Sequence, residues 1–149
     1  HRRSSAASDV YKRQEQISNH VAGLAKIKKI REIVNKVQIS IIRKNKRICV
    51  EGRDIASKIL SKNPKYDLAF YFKCSLDVAS YRRWLDIKKK LPLKEVKKSL
   101  KKRTLTDKNR KHSPLIRVKD SILIRSDQLT KKQVLSKMSS YIDRLNNIN

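Results

Sequence analysis

The chain predicts an α/β fold with a parallel sheet, and two observations carry that prediction. First, short apolar runs recur along it: Ile48-Cys49-Val50, Leu68-Ala69-Phe70-Tyr71-Phe72 and Ser121-Ile122-Leu123-Ile124. Such unbroken runs mark strands covered on both faces. Second, the segments between them repeat apolar residues at steps of three and four, which is the helical period. Strands alternating with helices give parallel sheets. At 149 residues the chain is one domain's length and long enough to bury a core.

The elements follow in order. Residues 1–14 contain Ser4-Ser5-Ala6-Ala7-Ser8 between Arg2-Arg3 and Lys12-Arg13. This aperiodic stretch reads as a non-native or disordered leader and is set aside from the fold. From Glu15 to Arg43 a helical pattern holds, with Ile30, Ile33, Val34, Val37 and Ile41 on one stripe; Gly23 divides it. Arg47 to Glu51 is the first strand. A loop with Ser61, Asn63 and Pro64 leads to the second, Leu68 to Phe72. Asp77, as N-cap, opens a helix reaching about Lys90. Pro92 punctuates, and Leu93, Val96 and Leu100 begin another helix. Ser113-Pro114-Leu115 is loop, Ser121 to Ile124 the third strand. Thr130 caps a last helix with Val134, Leu135, Met138, Ile142 and Leu145 on its stripe. No internal repeat is apparent.

Composition narrows the function. Thirty-nine Lys and Arg stand against 13 Asp and Glu, a net charge of +26. The partners are therefore anionic, either nucleic acid or small molecules bearing phosphate. Aromatic residues make up only 5%, too few for an extended base-stacking platform. Cys49 and Cys74, each in an apolar run with no Cys-x-x-Cys, read as reduced cysteines of a cytoplasmic interior. No segment has the roughly 18 apolar residues of a membrane helix. His20 and His112 have no triad or metal-ligand spacing.

Two motifs carry chemistry. Val50-Glu51-Gly52-Arg53-Asp54-Ile55 leaves the first strand at its carboxyl end, where open α/β sheets bind ligands. It fits either a phosphate clamp built on the arginine fork or a turn with a surface ion pair. Arg103, Asp107 and Arg110 stand at i, i+4 and i+7, on one helix face. They fit either a ladder of surface ion pairs or two arginines converging on phosphate with a carboxylate between them. Arg82-Arg83 lies on the preceding helix.

Taken in order, Glu51-Gly52-Arg53-Asp54-Ile55, the helix with Arg82-Arg83, Arg103-x-x-x-Asp107-x-x-Arg110 and Ser113-Pro114-Leu115 resemble the later two-thirds of bacterial cytidylate kinase. The likeness runs from about Glu15 to Leu145 and takes in Arg31 and Gln38. It implies a three-layer parallel sheet of the nucleoside monophosphate kinase and P-loop NTPase type, with residues 77–115 as lid region. The resemblance gives Asp54 and Arg31 the cytosine edge, Arg53 and Arg110 the acceptor phosphate, and Arg103 with Asp107 the ribose. Arg82 and Arg83 belong to the lid over the transferring phosphoryl group. CMP or dCMP is then the acceptor, ATP with Mg²⁺ the donor, and the intact protein a cytoplasmic monomer. The alternative is a small basic nucleic-acid-binding protein.

The sequence departs from that family in four places. Ala22 stands where the family carries a serine, nine residues before Arg31, which removes one hydrogen bond to the base. Ala56-Ser57 replaces Gly-Thr, and Ala79 replaces a lid arginine. No Gly-x-x-x-x-Gly-Lys-[Ser/Thr] loop is present, so the donor phosphates have no backbone cradle. The expected picture is a partial kinase domain at 15–149, without the first strand and phosphate loop. That strand lies centrally in the family's sheet, and its loss leaves unpaired edges prone to aggregation. Expressed alone, the chain is expected to be poorly soluble and to leave CMP unphosphorylated in an ATP-coupled assay; robust turnover would contradict this.

Overall fold

The computed structural model describes Leu24 and residues 27–147. Expectations for the leader, His20, Ala22, Gly23 and the start of the first helix lie outside the described residues. The chain divides into two compact units. One holds the described residues up to Pro64 with Asp107–Leu115, the other Lys65–Thr106 with the chain from Ile116 onward.

In the first unit, helix α1 spans Lys28–Arg43. It ends where the Asn45 amide donates to the Ile41 carbonyl at 2.7 Å, satisfying one of the last-turn acceptors that a helix leaves open. The apolar stripe expected here forms, but most of it faces outward. Ile33, Val34, Val37 and Ile41 are about half exposed, and Ile42, one residue further round, is the buried one. Arg47–Glu51 forms no strand, which corrects the sequence reading. No ladder partner lies beside it among the described residues, and without one an apolar segment is only a loop. Cys49 is accordingly exposed rather than interior. After Asp54 the chain makes a short π-helical turn, Ile55–Ile59, closed by the Leu60 N–H on the Ile55 carbonyl at 2.7 Å. Ile59 and Leu60 are buried by it.

In the second unit, strands β1 (Phe70–Lys73) and β2 (Ile122–Arg125) pair in parallel, with Phe70 opposite Ile122 and Lys73 opposite Arg125. Bonds from Ile122 N–H to Ala69 and from Ser126 N–H to Lys73 extend the ladder at both ends. Parallel strands need a long crossover, and helices α2 (Leu76–Asp86) and α3 (Leu93–Lys108) supply it. Helix α4 spans Lys131–Asn146, and its Tyr141 meets the Phe70 ring edge-on at 6.2 Å. Ala69, Ile87, Val96 and Ile124 form the core of this unit. The α/β class and parallel pairing hold, with two strands among the described residues where the sequence implied three. Phe72 is half exposed, so β1 is not covered on both faces as its composition implied.

Helix ends follow local chemistry. Ser75, not Asp77, caps α2: its Oγ accepts the Val78 N–H at 3.3 Å. Asp77 sits in the first turn instead, where its charge favours the helix dipole. Helix α2 stops at Asp86 rather than near Lys90. Lys88 and Lys89 take left-handed φ of 52° and 57°, the ordinary way of closing a helix. Thr130 caps α4 as expected, in a reciprocal capping box with Gln133.

Replacing Thr130 with Ala should lower stability by about 1 kcal/mol in urea unfolding. Asp127 accepts the Ser75 N–H at 2.8 Å, a bond that holds its carboxyl below the ordinary 3.8. A lowered folded-state pKa contributes stability that is complete above the ordinary value and fades as pH falls through the depressed one. Asp127→Asn should therefore flatten the acid limb of the stability curve, followed by urea melts between about pH 5 and 2.

Candidate functional site

Asp107, in the last turn of α3, is the most deeply buried charged side chain among the described residues, at 2% exposure. A carboxylate taken out of water needs countercharge, and two arginines provide it. Arg53 Nε lies 3.3 Å from Oδ2, and Arg110 Nη2 lies 2.5 Å from Oδ1. The loop after α3 fixes this arrangement. Ser113 is buried in a left-handed turn at φ 56°, and the Leu115 N–H reaches back to the Asp107 carbonyl at 2.8 Å. Arg110 is largely buried, and its Nε has no hydrogen-bond partner.

In the same unit, Arg31 of α1 and Asp54 form a hydrogen-bonded ion pair, both mostly buried. Asp54 sits at the start of the π-helical turn, directly after Arg53. Gly52 is required by close approach rather than by an unusual φ. A Cβ there would lie 2.6 Å from Ile55 Cγ1 and 2.8 Å from its Cδ1. This unit thus brings together five of the residues singled out by sequence: Arg31, Arg53, Asp54, Asp107 and Arg110. Arg53 and Arg110 flank the Asp107 carboxylate, and Arg31 pairs with Asp54. That combination suits an anion with planar oxygens.

The other three belong to the second unit. Arg103 lies one turn before Asp107 on α3, exposed and engaged. Arg83 is exposed on α2. Arg82 is committed to backbone: it donates to the carbonyls of Ser126, Asp127 and Leu129 at 2.7, 3.2 and 3.0 Å. This clamp on the loop after β2 was not foreseen, since nothing in the spacing from Arg82 to Ser126 marks it. Nor was the Ser113 turn, because a residue before proline is steered toward extended backbone. Tyr66 and Asp120, 54 positions apart, also pair unannounced at 2.5 Å, and the bond pushes the Tyr66 phenol up to about 12.

A glycine-rich phosphate cradle has no counterpart in a sequence whose glycines are Gly23 and Gly52. The described residues hold no group of three or more His, Cys, Asp or Glu suited to a metal ion. No described helix is long and apolar enough to cross a membrane.

The sequence matches the family described as Cytidylate kinase over residues 6–144, beginning within the stretch set aside as leader. It is 33% identical over 131 residues to the cytidylate kinase of Clostridium botulinum strain Loch Maree, covering 86% of this chain and 58% of that protein. The Hall strain's cytidylate kinase is 31% identical and that of Rickettsia akari 28%, with the same coverage. The chain spans 58% of the length of these curated relatives.

Substituting Asp107 with Asn should cost about 2 kcal/mol of stability, because the largely buried Arg110 loses its counter-ion. Arg53→Ala should cost less, since its side chain is 40% exposed. Parallel urea titrations of the two variants test that order.

Proposed function

Because the chain belongs to the cytidylate kinase family, we propose that its first unit is the acceptor-binding part of a (d)CMP kinase. The carrying observation is Asp107 held between Arg53 and Arg110, with the Arg110 Nε still able to donate. A phosphate monoester oxygen supplies the acceptor that this nitrogen lacks. Arg53, 40% exposed, donates to the same phosphate from the solvent side. Asp107 keeps both forks in place before ligand arrives and accepts from a ribose hydroxyl, while Arg103 donates to a ribose oxygen.

Asp54 is the base reader. A carboxylate accepts from the exocyclic amine of cytosine, and the ion pair with Arg31 orients it. Uracil offers a carbonyl at that position and repels the carboxylate. With Ala22 in place of the family's serine, base choice rests on this one pair.

Arg83, and Arg82 once released from its loop carbonyls, belong to the lid over the transferring phosphoryl group. Phosphoryl transfer needs positioning and charge stabilisation more than covalent help, and arginines supply both. ATP as donor and Mg²⁺ as its counter-ion follow from the family. The whole enzyme converts CMP or dCMP to the diphosphate as a cytoplasmic monomer.

Titration calorimetry of the full chain with CMP, cytidine and UMP tests this reading. CMP should bind, cytidine should bind at least about tenfold more weakly, and Arg110→Ala should erase that difference. Asp54→Asn should reduce the preference for CMP over UMP. Equal affinity for CMP and cytidine would refute the acceptor site.

A further inference from the structure

A second binding feature lies in the other unit, in the groove between α2 and the first turns of α3. Its volume is about 800 Å³, and its walls include Tyr81, Leu85, Leu93, Arg82, Lys94 and Lys97. The floor is apolar and open: Tyr81 is 51% exposed, Leu85 44% and Leu93 39%. Tyr81 lies beside Trp84, with ring centroids 5.8 Å apart. Lys89 sits over the other ring of that pair, 4.9 Å from the Trp84 centroid. The indole is fixed in place by its N–H on the Leu91 carbonyl at 2.9 Å.

The rim is cationic. Two carboxylates also border the groove, but each is already engaged: Asp77 is paired with Lys97, and Asp127 accepts the Ser75 N–H. Lys94 has no ion-pair partner among the described residues. Lys98, Lys101 and Lys102 continue the exposed face of α3, and Lys88 to Lys90 form the connection from α2. Between Lys88 and Arg103 the single acidic residue is Glu95.

We infer that this groove binds single-stranded nucleic acid, with one base stacked on Tyr81 and the neighbouring phosphates on Lys94 and on Lys98 and Lys101 further along α3. An exposed ring beside a track of cations is the arrangement that non-specific single-strand binders use. The alternating aromatic and anionic character of an oligonucleotide matches it on both counts. A duplex keeps its bases stacked internally and offers Tyr81 nothing. Lysine suits this role, since a flexible point charge follows a backbone without demanding fixed geometry. This activity is independent of the acceptor site proposed above.

Fluorescence anisotropy with labelled decauridylate tests the inference on the full chain. Binding should weaken steeply from about 50 to 200 mM salt. Tyr81→Ala should weaken it about tenfold and Tyr81→Phe should restore it, because the ring rather than the hydroxyl stacks. The double change Lys94→Gln with Lys98→Gln should weaken binding more than the equal-charge control Lys131→Gln with Lys132→Gln on α4. Trp84 is the sole tryptophan, so oligonucleotide should alter its emission, and excess CMP should not reverse that change. Overturning results are absent binding, equal loss in the groove and control variants, indifference to Tyr81→Ala, or equal affinity for a duplex of the same length.

Discussion

The burial of one carboxylate organises the first unit. Asp107 is withdrawn from water at a cost that only close countercharge offsets, and the chain brings that charge from two directions. Arg110 comes from the next turn of sequence and Arg53 from more than fifty residues earlier. The Ser113 turn and the Leu115 bond hold the local half of this contact. Gly52 lets Ile55 approach the backbone just before Arg53 and Asp54. The Arg31–Asp54 pair then fixes the far side. Proposed ligand groups and structural groups are thus the same side chains, so binding and stability are coupled here.

Lysine and arginine divide the basic surplus between them. The arginines make the built contacts: Arg31 and Arg110 on carboxylates, Arg82 on three carbonyls, Arg117 on Ser121. The planar fork loses less freedom per bond formed and tolerates partial burial. The lysines lie on helix faces, as at Lys98, Lys101 and Lys102, where hydration is retained. Net charge therefore describes the surface and reveals nothing of the site. The groove between α2 and α3 is the exception, because there the lysines border exposed rings.

Much of the helical architecture was legible. The Thr130 cap, the Leu93 start and the two parallel strands follow from local signals that tertiary packing did not override. The misreadings share a cause. Arg47–Glu51 has a strand's composition, and the α1 stripe has a core helix's period, but each needs a partner surface to become what its pattern announces. Ile33, Val37 and Ile48 remain exposed because no described element covers them. Asp77 lost the cap of α2 to Ser75, which stands two positions nearer the true helix start.

The candidate site was legible in part: Arg103 and Asp107 stand one turn apart on α3 and the Arg-Asp pair follows Gly52, but α3 ends at Lys108, so Arg110 reaches Asp107 from the loop beyond it and not from the same helix face. Periodicity shows which side chains share a helix face, because the 3.6-residue turn is a local property of the backbone. The meeting of Arg53 with Asp107 is not local. It depends on a desolvated carboxylate gathering cations across fifty residues, and only the folded chain decides which ones arrive. The same holds for Arg82, which spacing placed on a helix and packing committed to three carbonyls of a distant loop.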